Sequence, residues 1–331
     1  MTSQSPLFSV VICTYNRAEL LGDAIESVLG QDFNPERYEV LVIDNNSTDG
    51  TAVLVRHYPR VRYVFEGKQG LSHARNRGWR EAAGRYVAYL DDDAVAPEPW
   101  LDLAETIAEE RQPAIFGGPI RPRFEVPPPK WWRHWYLVGG FPKTPRALVE
   151  SEIVYGGNFF CRRDLFAQVG GFDERFGRRG GDLGYGEEQV FQAKVRCLLP
   201  DEEIYFHPDL YVDHFTPHYK TSWRWTLKNQ FSLGLSAARR QGAIDGFSKH
   251  ARASDLSASI KRVLKIAYTL SLGIPLRDRE AFPRPQNYLY ENLGRHLRGL
   301  GKIYGRFSNP RAIEAASHPS DDKESARSLT P

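Results

Sequence analysis

The stretch Tyr86-Val87-Ala88-Tyr89-Leu90-Asp91-Asp92-Asp93 joins an apolar run of strand length to three consecutive carboxylates. Such a run, bounded by a polar cluster, reads as a buried strand. Three adjacent carboxylates repel one another, so at the end of a buried strand they need a compensating cation or a function. The plain alternative is a solvated acidic turn. The segments on either side decide how the triplet is read.

Upstream, Phe8 to Cys13 (FSVVIC) is a β-branched run of strand length, and Thr14-Tyr15-Asn16 follows it as a polar turn. Asn16 is expected to cap a helix, with Glu19 three residues on as in a capping box. Leu20, Leu21, Ala24, Ile25, Val28 and Leu29 then recur at helical spacing. Tyr38 to Ile43 repeats the strand pattern and ends in the polar turn Asp44 to Gly50, which opens a second helix. Val61 to Phe65 is a third strand and Leu71 to Ala83 a third helix. Strands alternating with helices imply βαβ units and a mainly parallel sheet, in which ligands lie beyond the carboxyl ends of the strands. Thr14 to Asn16, Asp44 to Asp49 and Asp91 to Asp93 all fall on that edge and converge on one crevice. The first turn has no G-x-G-x-x-G and the chain no P-loop pattern, so a nucleotide would be held another way.

Downstream, Pro99 to Glu110 reads as a helix and Ala114 to Gly117 as a short strand. Arg121 to Pro145, centred on Pro127-Pro128-Pro129-Lys130-Trp131-Trp132, reads as a long loop. It is either a lid or acceptor wall presenting Trp131, Trp132 and Trp135, or a loop packed on the C-terminal helices. Ile153 to Arg163 is expected as a strand entering a short helix at Asp164 to Val169, followed by a glycine-rich charged loop to Gly186. Glu187-Glu188-Gln189-Val190-Phe191 opens a helix to about Leu199. Its first turn holds two carboxylates, where the helix dipole favours their ionised form and where Glu is also simply common. Glu203 to His207 and Asp209 to Phe215 read as a closing pair of strands, bringing His214 and then His218; a lone histidine is more often structural than a ligand. Beyond Lys220, Trp223 to Arg240 and Ile260 to Leu276 are helical. Basic residues such as Lys261, Arg262, Lys265, Arg277, Arg295, Arg298 and Arg311 outnumber acidic ones there. Ile260 to Leu276 suits either a helix lying on an anionic membrane surface or one packed on the preceding domain. Ser317 to Pro331 has the composition of a disordered tail.

With 331 residues, 41% hydrophobic and 26% charged, the chain suits one large α/β domain with or without an extension. A net charge of +3 gives no ground for a nucleic-acid partner. Cys13, Cys161 and Cys197 are odd in number and far apart, which argues against a disulfide framework or a zinc knuckle and for a reducing cytosol. No leader pattern stands at Met1 to Phe8 and no apolar run approaches about 18 residues, so a soluble or peripheral protein is expected.

Five segments together resemble the family 2 glycosyltransferases. They are SVVICTYNRAELLGDAIESVLGQ (9–31), EVLVIDNNSTDGT (39–51), GLSHARNRGWREAAGRYVAYLDDD (70–93), GGNFFCRRDLFAQVGGFDERF (156–176) and GEEQVF (186–191). The resemblance covers about 200 residues and stops near Tyr219. It implies an α/β, Rossmann-like GT-A domain over 1–219, its mainly parallel sheet flanked by helices; the residues beyond it read by composition as a basic helical extension over 220–316 and a disordered tail over 317–331. It also implies an inverting transfer from a nucleotide-diphosphate sugar, UDP foremost, to a glycan or lipid-linked acceptor in bacterial polysaccharide or cell-envelope assembly. Catalysis would take place in the cytoplasm or at the inner face of the plasma membrane, with no nucleic-acid partner; the residues of 260–276 leave both peripheral association through the C-terminal helices and packing on the preceding domain open.

By the same resemblance Asp93, with Asp91 and His214, would hold Mg²⁺ or Mn²⁺, His218 standing in reserve. Asp91 and Asp92 would lie on the ribose side. Asp44 and the Thr14-Tyr15 main chain would take the nucleobase, with Arg17 and Asn46 in the same two turns and Arg75 lining the pocket. Glu188, or else its neighbour Glu187, would be the catalytic base. Asp44-Asn45-Asn46-Ser47 departs from the family's Asp-Asp-Gly-Ser, which leaves the nucleobase open, and Glu187-Glu188 replaces its Glu-Asp. Two rivals stand beside this reading. A sugar-nucleotide pyrophosphorylase would need a glycine-rich first loop where Thr14-Tyr15-Asn16-Arg17 stands. A non-catalytic sugar-nucleotide or glycan-binding module would have lost the acidic groups that are present here.

Overall fold

The computed structural model describes residues 5–133, 136, 141–180, 184–245 and 253–307, with the backbone alone at 241–245, 253–257 and 306–307. The expected tail at 317–331, Arg311 and Trp135 lie outside the described residues.

The first third of the chain alternates strand and helix: β1 (Phe8–Thr14), α1 (Ala18–Leu29), β2 (Tyr38–Asp44), α2 (Thr51–Val55), β3 (Val61–Phe65), α3 (Leu71–Glu81) and β4 (Tyr86–Asp91). The four strands pair in parallel in the order β3-β2-β1-β4. Register brings their carboxyl ends level, Thr14 opposite Asp44 and Cys13 opposite Asp91, so three polar turns share one edge. The strands are apolar on both alternations because both faces are covered. Val10, Ile12, Val40 and Val42 pack under α1 and, beyond it, Trp100 and Ala104. Val11, Leu41, Ile43 and Tyr89 pack on the other side against Ala74 of α3 and the later side chains Phe166 and Phe191.

The order then loosens through β5 (Ala94–Val95), α4 (Trp100–Glu110), β6 (Ile115–Gly117), β7 (Ile120–Phe124), β8 (Arg146–Ala147), β9 (Asn158–Arg162), α5 (Arg163–Val169), α6 (Glu187–Leu198), β10 (Ile204–Phe206) and β11 (Val212–Thr216). The eight-stranded sheet runs β3-β2-β1-β4-β9-β6-β10-β8, with β9 antiparallel to both β4 and β6. Antiparallel pairing of Asn158 with Leu90 sets the start of β9 beside the end of β4. A second sheet, β5-β11-β7, pairs His214 with Ala94 immediately after the acidic triplet.

Four expectations are corrected. Asn16 does not cap α1: the cap position is Arg17, with no side-chain cap, and Asn16 takes a left-handed φ of 50°. Its Oδ1 accepts from the Thr48 amide at 2.7 Å, and the Ala18 amide donates instead to Asp49 Oδ2 at 3.0 Å, so the carboxylate at the helix start comes from the β2 turn. β10 and β11 are not a pair: β10 lies parallel to β6 in the large sheet and β11 parallel to β7 in the small one. Part of the expected 121–145 loop is β7, because β11 offers it a ladder. Trp131 is not an exposed indole: it is buried and packs with the half-buried Trp132 and with Tyr136, ring centroids 5.6 and 6.1 Å away.

Chain contacts divide the protein into two compact units, Met1–Thr226 and Leu227–Pro331. The second unit contains most of α7 (Trp223–Asp245), then α8 (Ala253–Tyr268), a π-turn at Thr269–Gly273 and α9 (Pro285–Phe307). The single helix expected over 260–276 therefore starts earlier and ends in that turn. Glycine lets α7 and α9 touch: a Cβ at Gly301 would sit 2.1 Å from the Phe231 carbonyl oxygen. No helix among the described residues is long and apolar enough to cross a membrane.

Gly78 on α3 is a close approach of helix to sheet, since a Cβ there would lie 2.5 Å from Val11 Cγ1. Gly78→Ala is expected to destabilise the first unit by about 1–3 kcal/mol through overpacking, read as a lower urea midpoint with an unchanged slope.

Candidate active site

The three carboxylates at the end of β4 do not share one environment. Asp91 and Asp93 turn toward His214, whose Nε2 is 3.0 Å from Asp93 Oδ1 and 3.5 Å from Asp91 Oδ2. Burial alone would raise both carboxyls, but the hydrogen bonds and charge of His214 outweigh it and hold both below the ordinary range. Asp92 turns toward Arg17, whose Nη1 bridges Asp92 Oδ1 at 3.0 Å and Asp93 Oδ2 at 2.6 Å. For Asp92 burial wins over that guanidinium, and with the Asp93 charge beside it the carboxyl is pushed up to about 7.

His214 is aimed by its backbone. Its Nδ1 lies 2.9 Å from the Phe215 carbonyl oxygen, which can only accept, so Nδ1 donates and Nε2 is the nitrogen presented to the carboxylates. Phe215 in turn donates its amide to the Asp93 carbonyl at 2.7 Å, locking β11 onto the triplet. Burial opposes the imidazolium, yet the two carboxylates raise its pKa to about 9. Asp91, Asp93 and His214 each offer one ligand atom, all within 4.8 Å of one another. Two carboxylate oxygens and an imidazole are a donor set suited to Mg²⁺ or Mn²⁺. The expected reserve, His218, lies apart: it is exposed and pairs with Glu125 at 3.1 Å.

Arg75 links this cluster to the start of α6. The guanidinium is buried, with Nη1 2.6 Å from Glu187 Oε1 and Nη2 3.8 Å from Asp91 Oδ1. Burial opposes its charge, while Glu187 and Asp91 keep it ionised. Glu187 is itself buried, whereas Glu188 is half-buried and lines the cleft. Gly156 and Gly157 make the room: a Cβ at Gly156 would lie 2.4 Å from Arg75 Nη2, and one at Gly157 2.4 Å from Asp91 Oδ2. Gln192 of α6 holds that turn by hydrogen bonds of 2.9 and 2.8 Å to the Val154 amide and carbonyl.

A cleft of about 310 Å³ is lined by Thr14, Tyr15, Arg17, Arg75, Asp91, Asp92, Asp93, Glu187, Glu188 and His214, all residues singled out from the sequence. Asp44 and Asn46 do not line it. Asp44 is buried, its carboxylate taken by the Ser47 amide at 2.9 Å and the Tyr63 hydroxyl at 2.7 Å, and Asn46 holds the turn at a φ of 65°. Asn45 lines the cleft instead, its Oδ1 accepting from the Gly70 amide at 2.7 Å.

Sequence reasoning missed Asn45, Tyr155, Arg178, Tyr185 and Lys220. The first four complete the cleft wall. Lys220 is buried near Asp93; burial pulls its pKa down, against the attraction of that carboxylate. Only Asn45 stood in a quoted motif. Arg178 and Tyr185 belong to a loop whose path no periodicity predicts, and Lys220 lies in the 3₁₀ turn His218–Thr221, four residues past the end of β11.

Residues 9–170 match the family model described as Glycosyl transferase family 2. A glucosyl-dolichyl phosphate glucuronosyltransferase of Haloferax volcanii is 28% identical, over 94% of this chain and 99% of the relative. The succinoglycan biosynthesis protein ExoM of Rhizobium meliloti is 28% identical, over 72% of this chain and 76% of the relative. Among solved structures, the mannosyltransferase PcManGT from Pyrobaculum calidifontis, in complex with GDP-Man and Mn²⁺, aligns with a TM-score of 0.63 at 19% identity, covering 92% of this chain and 88% of that one. At that identity the likeness speaks for the fold alone. The sheet and its helices are therefore a GT-A fold, within which residues 9–170 match the glycosyl transferase family 2 model.

Proposed function

We propose that the chain is an inverting, metal-dependent glycosyltransferase acting in the cytoplasm. It would move a sugar from a nucleotide-diphosphate donor, UDP ahead of other nucleotides, to a glycan or lipid-linked acceptor in polysaccharide or cell-envelope assembly. The observation that carries this reading is a single cleft whose wall holds both the Asp91, Asp93 and His214 donor set and the carboxylate of Glu188. The acceptor class is supported by relatives named for a dolichyl phosphate substrate and for succinoglycan biosynthesis.

Asp91, Asp93 and His214 would hold the divalent ion, which when bound supplies positive charge for the leaving diphosphate. Thr14, Tyr15, Arg17 and Asn45 form the donor end of the cleft, and Asp44 and Asn46 shape its turn from behind. Glu188, in the first turn of α6, removes the acceptor hydroxyl's proton as the new glycosidic bond forms and the bond to the diphosphate breaks. Glu187 serves as a positioning residue, since its Oε1 is committed to Arg75. Asp92 stands apart from the ion. Its partner is Arg17, and burial pushes its carboxyl up to about 7.

Glu188→Gln is expected to keep Mn²⁺ and donor binding by calorimetry while losing about 10²- to 10⁴-fold in transfer rate. Turnover near the wild-type rate in Glu188→Gln, with Glu187→Gln folded and inactive, would place the base at Glu187. Asp93→Asn is expected to abolish Mn²⁺ binding under conditions where Asp92→Asn retains it; equal loss in both would mean the triplet is read one residue out of register.

Metal binding should also be coupled to protons. His214 is imidazolium below about pH 9 in the metal-free protein and must be neutral as a ligand, so binding displaces a proton and affinity rises with pH across that range. Calorimetry at neutral pH in buffers of different ionisation enthalpy should report about one proton released per Mn²⁺, and His214→Ala should remove that release.

A further inference from the structure

The second unit carries a surface that the cleft does not explain. Along α8, Ile260, Val263, Leu264 and Tyr268 recur at helical spacing on one face, and Leu270 and Leu272 continue it through the π-turn. All six are more than half exposed. An apolar patch of that extent on a soluble surface marks an interaction site. The opposite side of α8 is occupied: Arg262 lies so close to α9 that a Cβ at Gly299 would be 2.2 Å from its Nη1.

Charge identifies the occupant. Lys261 and Lys265 are exposed one position beyond Ile260 and Leu264, along the edge of the apolar stripe. Arg277 and Arg279 after the turn alternate with Asp278 and Glu280, so the charge of this face is that of Lys261 and Lys265, and no acidic residue occurs between Leu256 and Arg277. A second copy of this face would oppose lysine to lysine, which is unfavourable. An anionic headgroup layer complements the lysines and receives the apolar side chains, as an interfacial helix requires.

We infer that the exposed face of α8 and its π-turn docks on an anionic lipid surface, with Ile260, Val263, Leu264, Tyr268, Leu270 and Leu272 entering the headgroup boundary and Lys261 and Lys265 pairing with phosphates. The docking surface stands on exposure and charge; its use in presenting a lipid-linked acceptor rests on the transferase reading. Flotation of the full chain with vesicles tests it without donor or turnover, so the result is independent of catalysis. The chain floats with phosphatidylcholine vesicles containing phosphatidylglycerol, stays behind with phosphatidylcholine alone, and is released by salt. Leu264→Glu with Leu272→Glu, and Lys261→Glu with Lys265→Glu, each lower the bound fraction more than about tenfold. Their melting curves stay at the wild-type temperature, because these positions are exposed. No flotation of the wild type at low salt, or flotation of both variants at the wild-type level, overturns the inference. So does a wild-type dimer by light scattering that the leucine variant dissociates, which would assign the face to a second copy.

Discussion

A guanidinium buried between two carboxylates holds the site together. Arg75 sits 2.6 Å from Glu187 and 3.8 Å from Asp91, its guanidinium and the Glu187 carboxylate both buried in the cleft wall. Deleting one member of such a group leaves an uncompensated buried charge, at a cost of about 3–5 kcal/mol. The pairing thus ties the end of β4 to the start of α6 and fixes the distance between the acidic triplet and the Glu187-Glu188 turn. The faces of Tyr89 and Phe172, 5.8 and 5.6 Å from the guanidinium, add a cation–π cradle. Cys13 lies in the same wall, but burial pushes its thiol up to about 12, so it brings no charge to the cluster.

Small residues around Arg75 follow from the same constraint. Gly156 and Gly157 leave space for its guanidinium and for Asp91. The next residue of α3, Asn76, exchanges hydrogen bonds of 2.9 Å in both directions with Phe172. The preceding Gly171 has a left-handed φ of 69° and would place a Cβ 2.7 Å from Asn76 Oδ1. The Arg-Asn pair of α3, the double glycine before β9 and the double glycine after α5 are therefore one packing solution spread over three segments.

Electrostatics divides the triplet. β4 ends at Asp91, and the turn that follows sets Asp91 and Asp93 against His214 while Arg17 bridges Asp92 and Asp93. An imidazolium on one side keeps two carboxyls ionised; burial on the other leaves the third near neutrality. A cation entering between Asp91, Asp93 and His214 would meet two negative charges already oriented, with a proton on His214 to displace.

The alternation of buried strands and helices up to Leu90, and the convergence of Thr14, Asp44 and Asp91 on one sheet edge, were legible from residue type and order, because periodicity and turn chemistry are local. So was the first turn of α6 with its two carboxylates. What is non-local was not legible. Asn16 satisfies the β2 turn instead of capping its own helix, since Asp49 supplies the better acceptor from another segment. β11 leaves β10 for β7 because the short strand β5 carries the triplet into a second sheet, which is what delivers His214. Two adjacent glutamates of one type acquire different surroundings only when Arg75 takes one of them. The sequence by itself determined which groups reach the sheet edge. Only the tertiary structure decided which of them face one another, because a buried charge chooses its partner by distance through space and not by position along the chain.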